Sequence, residues 1–208
     1  MKIMLDATPA KIAEYTKRYD HEFWQLRTPL TRNRIAGVPY GLDNGCFTRF
    51  DQKTWLRMVA EARNYKKSYA PEATPMFVTL PDIVGDARRT LELFNHFCNH
   101  THGVNRALVL QDGIGMHEIQ WALVDAVFVG GSDNFKIAPE AINACKAAKM
   151  MGKWVHVGRV NTAKRVRDWI GLADSIDGSG ISRFDHMLED VLSMIEGNHP
   201  QAELLEAS

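Results

Sequence analysis

Asp43, Asn44, Asp82, Gln111, Asp112, Arg159 and Asp177 could do chemistry by type, and each closes or follows a short apolar run. Gly130-Gly131 adds bare backbone at a similar position. A carboxylate accepts from N–H groups, and glutamine both donates and accepts. Glycine lets a backbone N–H approach a carbonyl with no side chain in the way. Such a set can read a planar base that carries amide-like donors and acceptors. Two aspartates on different strands can divide proton transfer from nucleophilic attack. Each residue also has a plainer reading, because Asp, Asn and Gly are ordinary turn residues. Asp82 in "LPDIVGD" could cap the helix after it. Asp112-Gly113 and Gly130-Gly131 could be turns, and Asp174 and Asp177 could be loop residues around "DGSG". Asp43-Asn44-Gly45 in "YGLDNGCF" is itself good turn chemistry.

The elements that must position these residues follow an alternating pattern. The β-like runs are "KIML" before Asp6, "VPYGL" before Asp43, "MFVTLP" before Asp82 and "RALVL" before Gln111. They continue with "AVFV" before Gly130, "KWVHV" before Gly158-Arg159 and "ADSI" before Asp177. Near-continuous apolar runs of this length suit strands covered on both faces, as in a parallel sheet. Between them lie helix-like segments. Thr8 can cap the first and Pro9 fits its first turn. Trp55, Met58, Val59 and Ala62 mark the second, with Asp51 or Thr54 as cap. Ala87, Leu91, Phe94 and Cys98 mark the third. "GMHEIQWAL", "APEAINACKAAKMM" and "NTAKRVRDWIGL" follow, and the last helix, 184–196, buries Met187, Leu188, Val191, Leu192 and Ile195.

Single helices alternating with strands imply βα units. No GxGxxG follows the first strand and no Walker sequence is present, which lowers the nucleotide-binding doubly wound folds. The expectation is an α/β fold of the (β/α)8 TIM-barrel type, in which all the strand ends meet at one mouth. Seven strands are legible. The barrel is either incomplete or has its eighth strand hidden in 28–38 or 65–75. One domain is expected over 1–208, with 197–208 as a flexible tail.

The 208 residues are 45% hydrophobic and 24% charged, the range of a globular protein. Lys plus Arg equals Asp plus Glu at 25 each, so total charge gives no signal for nucleic acid or an anionic membrane. Local positive charge remains: Arg27, Arg32, Arg34 and Arg49 flank the Asp43 strand, and Lys164, Arg165 and Arg167 follow Arg159. No run reaches membrane-span length, and Asp6 comes too early for a signal peptide. These features predict a cytoplasmic protein. Cys46, Cys98 and Cys145 lie far apart without metal-type spacing and are expected as buried or half-buried free thiols. His96, His100 and His102 are expected at a polar helix end and not as metal ligands.

The order of the strand-end residues resembles the catalytic barrel of the tRNA-guanine transglycosylase superfamily, closest to its small DNA-acting branch, the deazaguanine DNA transglycosylases of phage DNA modification. "LDNGCF" (42–47) resembles the family's Asp-Ser-Gly-Gly-Phe segment and places Asp43 near the reacting ribose; Asn44 and Cys46 depart from it. Asp82 is similar to the family's second, base-contacting aspartate. "LQDG" (110–113) resembles a "VQGG" segment through Gln111. "VGGSDNFK" (129–136) is similar to "IGGLAVGE", with Gly130, Gly131 and Ser132 matching. "VHVGRVNTAKRVRDW" (155–169) resembles the next glycine-bearing strand and helix. "DSIDGSGISRF" (174–184) resembles the segment that carries the nucleophile, with Asp177 in its place and Arg183 downstream.

The resemblance implies a pentosyltransferase that replaces guanine with a 7-deazaguanine, as in queuosine-related chemistry. Asp177 and Asp43 are then catalytic. Asn44, Gly45, Asp82, Gln111, Gly130, Gly131, Ser132 and Arg159 bind substrate, and Arg49, Lys164, Arg165 and Arg183 bind nucleic acid. The tRNA enzymes carry a cysteine-rich zinc site after the nucleophile. Here about thirty residues follow Asp177 and none is cysteine. That departure implies no metal and no cofactor, and DNA with a free 7-deazaguanine base as partners. Partner proteins could supply further DNA-binding surface. The alternatives are exchange on tRNA, N-glycoside hydrolysis, or a non-catalytic barrel that binds a purine or nucleic acid.

Overall fold

The structure, a computed structural model, describes residues 1–31, 35, 37–65 and 74–197. Its strands form a closed parallel barrel in sequence order. They are β1 (Lys2–Leu5), β2 (Phe23–Arg27), β3 (Tyr40–Leu42), β4 (Val78–Thr79), β5 (Arg106–Leu110), β6 (Ala126–Val129), β7 (Trp154–Val157) and β8 (Ser175–Asp177). The ring closes where β1 meets β8, with Ile3 opposite Ile176 and Met4 opposite Asp177. The barrel is therefore complete.

The eighth strand is β2, outside both windows the sequence pointed to. Its sequence, FWQLR, is no apolar run because Gln25 and Arg27 occupy outward positions. Both are buried there with polar partners. Gln25 Oε1 accepts from Ile35 N at 3.0 Å, and Arg27 Nη2 pairs with Glu61 at 2.7 Å. Arg27 thus faces the helix layer and not the mouth. Arg32 and Arg34 lie outside the described residues, as do 66–73 and the tail beyond 197.

Strand alternation sorts the rest. Outward residues such as Ile3, Leu5, Leu108, Leu110, Val127, Val155 and Ile176 pack under the helices in one continuous core. Inward residues Met4, Trp24, Leu26, Phe77, Ala107 and Ala126 fill the barrel. Both faces of each strand are buried, which is why most strands read as unbroken apolar runs. Gly41 makes room inside: a Cβ there would lie 2.5 Å from Phe77 Cζ.

The helices are α1 (Pro9–Tyr19), α2 (Gln52–Tyr65), α3 (Ala87–Phe97), α4 (Pro139–Met150), α5 (Ala163–Arg167) and α6 (Asp185–Ile195). Thr8 Oγ1 caps α1 through Lys11 N, and Asp51 Oδ1 holds Thr54 N at the start of α2. Asp86 caps α3, so the carboxylate of Asp82 is free of that duty. Only the centre of "NTAKRVRDWIGL" is helical. "GMHEIQWAL" is not an α-helix but two turns of 3-10 helix, Met116–Glu118 and Trp121–Leu123. Ile119 within that segment and Ile114 and Val124 at its two flanks are buried, a five-residue spacing that no α-helix presents on one face. On α6, Leu188, Val191, Leu192 and Met194 are buried, with Met187 and Ile195 partly so.

Cys98 and Cys145 are buried and Cys46 is half-buried, all as free thiols. His96, His100 and His102 are exposed around the end of α3. Among the described residues no helix is long and apolar enough to cross a membrane, and no group of His, Cys, Asp or Glu is gathered as a metal site would need.

Candidate active site

The same alternation that fills the barrel aims the strand ends. Inward Met4, Gly41, Val109, Phe128, His156 and Ser175 are each followed two residues later by Asp6, Asp43, Gln111, Gly130, Gly158 and Asp177. Those six residues line one cleft of about 1030 Å³ at the C-terminal end of the barrel, together with Asn44, Gly45, Asp82, Gly131, Arg49, Arg159 and Arg183. A cavity of that order accommodates a planar ligand with room beyond it.

Four strand-end carboxylates, Asp6, Asp43, Asp82 and Asp177, crowd the cleft. Asp43 is held by its neighbours: Asn44 N donates to Oδ1 at 2.8 Å and Thr79 Oγ1 at 3.3 Å. Burial, then the nearby charges of Asp177 and Asp82, push its carboxyl up to about 7. A group that titrates there can both give and take a proton at neutral pH. Asp177, with its side chain 14% exposed, sits at the end of β8. Asp6, at the end of β1, is raised by burial against the opposing effect of a Thr31 hydrogen bond, and Asp177 raises it further.

Asp82 is nearly buried, and each of its oxygens has an amide donor. Asn44 Nδ2 donates to Oδ1 at 2.8 Å, and Gln111 Nε2 to Oδ2 at 2.6 Å. Gln111 Oε1 in turn accepts from Gly85 N at 2.9 Å. Asn44 also donates to Leu80 O and accepts from Cys46 N. Burial raises the Asp82 carboxyl, while the two amides counter that shift. The ends of β3, β4 and β5 are thereby locked in one network. The Cys46 thiol is a third side-chain donor to the Asp82 carboxylate. A carboxylate has about four acceptor sites and Gln111 a second N–H, enough for one planar hydrogen-bonding edge.

Gly130 and Gly131 form the neighbouring wall. A Cβ on Gly130 would lie 2.8 Å from Gln111 Nε2, and Gly131 has a φ of +66°. Asp112-Gly113 is a turn, as one reading of the sequence had it. Burial opposes ionisation of Asp112, but the Ser132 hydroxyl and N–H, at 2.5 and 2.8 Å, hold its carboxyl below the ordinary value. Ser132 is thus committed to Asp112 and is outside the cleft lining.

Of the basic residues, Arg49, Arg159 and Arg183 line the cleft, whereas Lys164 and Arg165 do not. Lys164 is exposed on α5, and Arg165 is bound to Asp133 through its carbonyl at 3.1 Å and its carboxylate at 3.6 Å. The Arg159 guanidinium lies 4.6 Å from the centroid of Phe47 and donates to Gly131 O. Phe47, 66% exposed, gives the mouth an open aromatic face.

Two polar groups beneath the cleft escaped the sequence reading. His156 is fully buried with Nε2 at 2.9 Å from Asp177 Oδ1. Strand alternation in "WVHV" was the signal, since His156 shares the inward face with Gly158. Lys136 is fully buried and donates to Gly158 O at 2.5 Å. Burial and the Arg159 charge lower its ammonium to about 8. No sequence pattern marks it.

The "DGSG" loop after β8 depends on Asn161, whose Oδ1 accepts from Gly180 N at 2.7 Å and Ile181 N at 3.3 Å. A Cβ on Gly178 would lie 2.3 Å from that Oδ1 and 2.4 Å from Val160 O. Compared with protein-family models and with curated proteins, the chain matches none of them.

Proposed function

We propose that this protein exchanges guanine in DNA for a free 7-deazaguanine base through a covalent glycosyl-aspartate. The observation that carries the reading is that two aspartates, Asp43 and Asp177, face the same cleft as an amide-and-carboxylate edge formed by Asp82 and Gln111. Asp43, titrating near 7, is the proton carrier of the pair. Asp177 is the nucleophile.

The target guanine leaves the helix stack, at a cost of a few kcal/mol, and enters the cleft. Its Watson–Crick edge donates to Asp82, and its carbonyl accepts from Gln111 and from the Gly131 N–H, the Gly130 N–H being held by Leu110 O at 3.0 Å. Asp177 attacks C1′ as the C1′–N9 bond breaks, and the electron pair leaves with guanine, which takes a proton from Asp43. The incoming 7-deazaguanine gives its N9 proton to Asp43 as its nitrogen attacks C1′, and the aspartyl bond breaks. The proton count closes over one cycle. A carboxylate nucleophile divides one displacement into two, as in retaining glycosidases. Arg49, Arg159 and Arg183 at the rim hold phosphates, and Phe47 offers a stacking face to a neighbouring base.

The test is nucleoside mass spectrometry of DNA and of tRNA after incubation with labelled 7-deazaguanine. Label in DNA supports the reading. Label confined to tRNA, or guanine release without incorporation, overturns it. Asp177→Asn should abolish exchange; undiminished exchange in that variant removes Asp177 as the nucleophile.

A further inference from the structure

His156 lies one layer below the cleft floor, its ring between Phe77 and Phe128 with centroids 4.9 and 4.6 Å away. Its Nε2 is 2.9 Å from Asp177 Oδ1 and its Nδ1 is 2.8 Å from Ser175 Oγ. Trp154 Nε1 donates to the same Ser175 Oγ at 2.8 Å. An indole N–H can only donate, so the serine oxygen is an acceptor on that side. Ser175 is fully buried, and His156 Nδ1 lies within hydrogen-bond reach of its hydroxyl. A carboxylate nucleophile at Asp177 can only accept, which assigns the imidazole proton to Nε2, pointing at Asp177, and leaves Nδ1 of the neutral ring to accept from Ser175.

A histidine inside a barrel is ordinarily a satisfied core residue. Here one of its two bonds goes to the carboxylate at the reacting centre. We infer that His156, with its tautomer set by Ser175 and Trp154, is the positioning residue for Asp177: it occupies Oδ1 and turns Oδ2 toward C1′. The inference rests on the base-exchange reading. Gly158 fits it, because a Cβ there would lie 3.3 Å from the same Oδ1 and 2.7 Å from Phe128 Cε1.

The bond acts unequally on the two displacements. In the first, Oδ2 bonds to C1′ as guanine leaves with the C1′–N9 pair, and Oδ1 becomes an ester carbonyl, a weaker acceptor. In the second, the incoming nitrogen bonds to C1′ and the Oδ2–C1′ pair returns to the carboxylate. The His156 N–H bond strengthens as that charge returns, so it favours Asp177 as leaving group.

Two variants test this. His156→Phe keeps a ring between Phe77 and Phe128 and removes the donor. His156→Gln restores an N–H near the Nε2 position. The Phe variant should lose about 100-fold in kcat, the scale of losing one preorganised donor, with KM for the free base little changed. Its covalent DNA adduct should persist longer in a chase with free base, and the Gln variant should recover part of the rate. Ser175→Ala, which releases the tautomer, should give a smaller loss and serves if His156→Phe fails to fold. Imidazole 15N spectra of the wild type should show the proton on Nε2. Wild-type rates in a folded His156→Phe variant, or a proton on Nδ1, overturn the inference alone. Absence of exchange in the wild type overturns the base-exchange reading and this inference with it.

Discussion

Asn44 Nδ2 donates to Asp82 Oδ1 at 2.8 Å, tying the end of β3 to the end of β4. Gln111 completes the tie from β5 on the other oxygen. Asp82→Asn would set an NH2 group against an amide donor in a site that is nearly dry. The expected cost is about 1–3 kcal/mol, read as a fall in the urea midpoint at pH 7 with an unchanged slope. KM for the free base should rise, because the same edge is proposed to read it. Unchanged stability would show that the network adapts by rotating one amide.

Asp43 predicts a pH-dependent gain in stability on its own removal. Its folded carboxyl is raised from 3.8 to about 7. Below about pH 4 it is protonated in folded and unfolded chains alike, and Asp43→Asn should match the wild type. As pH rises through about 7 the folded wild type acquires a crowded, desolvated charge that the unfolded chain carries in water. Asp43→Asn should therefore become progressively more stable than the wild type between pH 4 and 7, and hold that advantage above it, while exchange is lost. Thermal melts at pH 4, 6 and 8 check the sign. A constant difference across them would show that Asp43 does not titrate as described.

Gly158 lies where a methyl group has no space. Gly158→Ala would press on Phe128 Cε1 at 2.7 Å and on Asp177 Oδ1 at 3.3 Å. Overpacking of this kind costs about 1–3 kcal/mol. Phe128 is only partly buried and can yield, so the fold should survive, while the displaced Asp177 lowers kcat. Circular dichroism with an exchange assay separates the two effects.

Arg49, Arg159 and Arg183 share the cleft mouth. If each holds one phosphate, replacing any of them with Ala should lower the salt dependence of DNA binding by about one unit of log K per log salt. Lys164→Ala should leave that slope unchanged, because Lys164 stands outside the cleft lining. Binding titrations on one duplex at several salt concentrations decide the matter. Arg159→Ala also frees Phe47 and Gly131 O, so its effect should be the largest of the three.

Much of the architecture was legible because buried parallel strands must be apolar on both faces. "RALVL" and "AVFV" announce themselves in that way, and Gln111 and Gly130 end them where the chain meets the mouth. β2 was illegible for the converse reason. Gln25 and Arg27 face the helix layer, where Ile35 and Glu61 satisfy them, and hydropathy cannot see a partner ten or more residues away. The helical spacing in "GMHEIQWAL" misled because apolar residues at the ends of two short turns mimic a stripe.

The sequence by itself determined the alternation of strands and helices, a parallel sheet, and the strand ends at which Asp43, Asp82, Gln111 and Asp177 stand; that the sheet closes into a barrel through β2 came from the tertiary structure. Local composition suffices for the alternation, the sheet and the strand ends, since burial selects residue type position by position. Only the tertiary structure decided what each polar group does there. It bound Ser132 to Asp112 and Arg165 to Asp133, away from the cleft. It joined Asn44, Asp82 and Gln111 into one edge, and set His156 and Lys136 beneath Asp177 and Gly158. Those pairings span tens of residues and depend on which side chains a closed barrel brings within hydrogen-bond reach, a geometric outcome that no local pattern encodes.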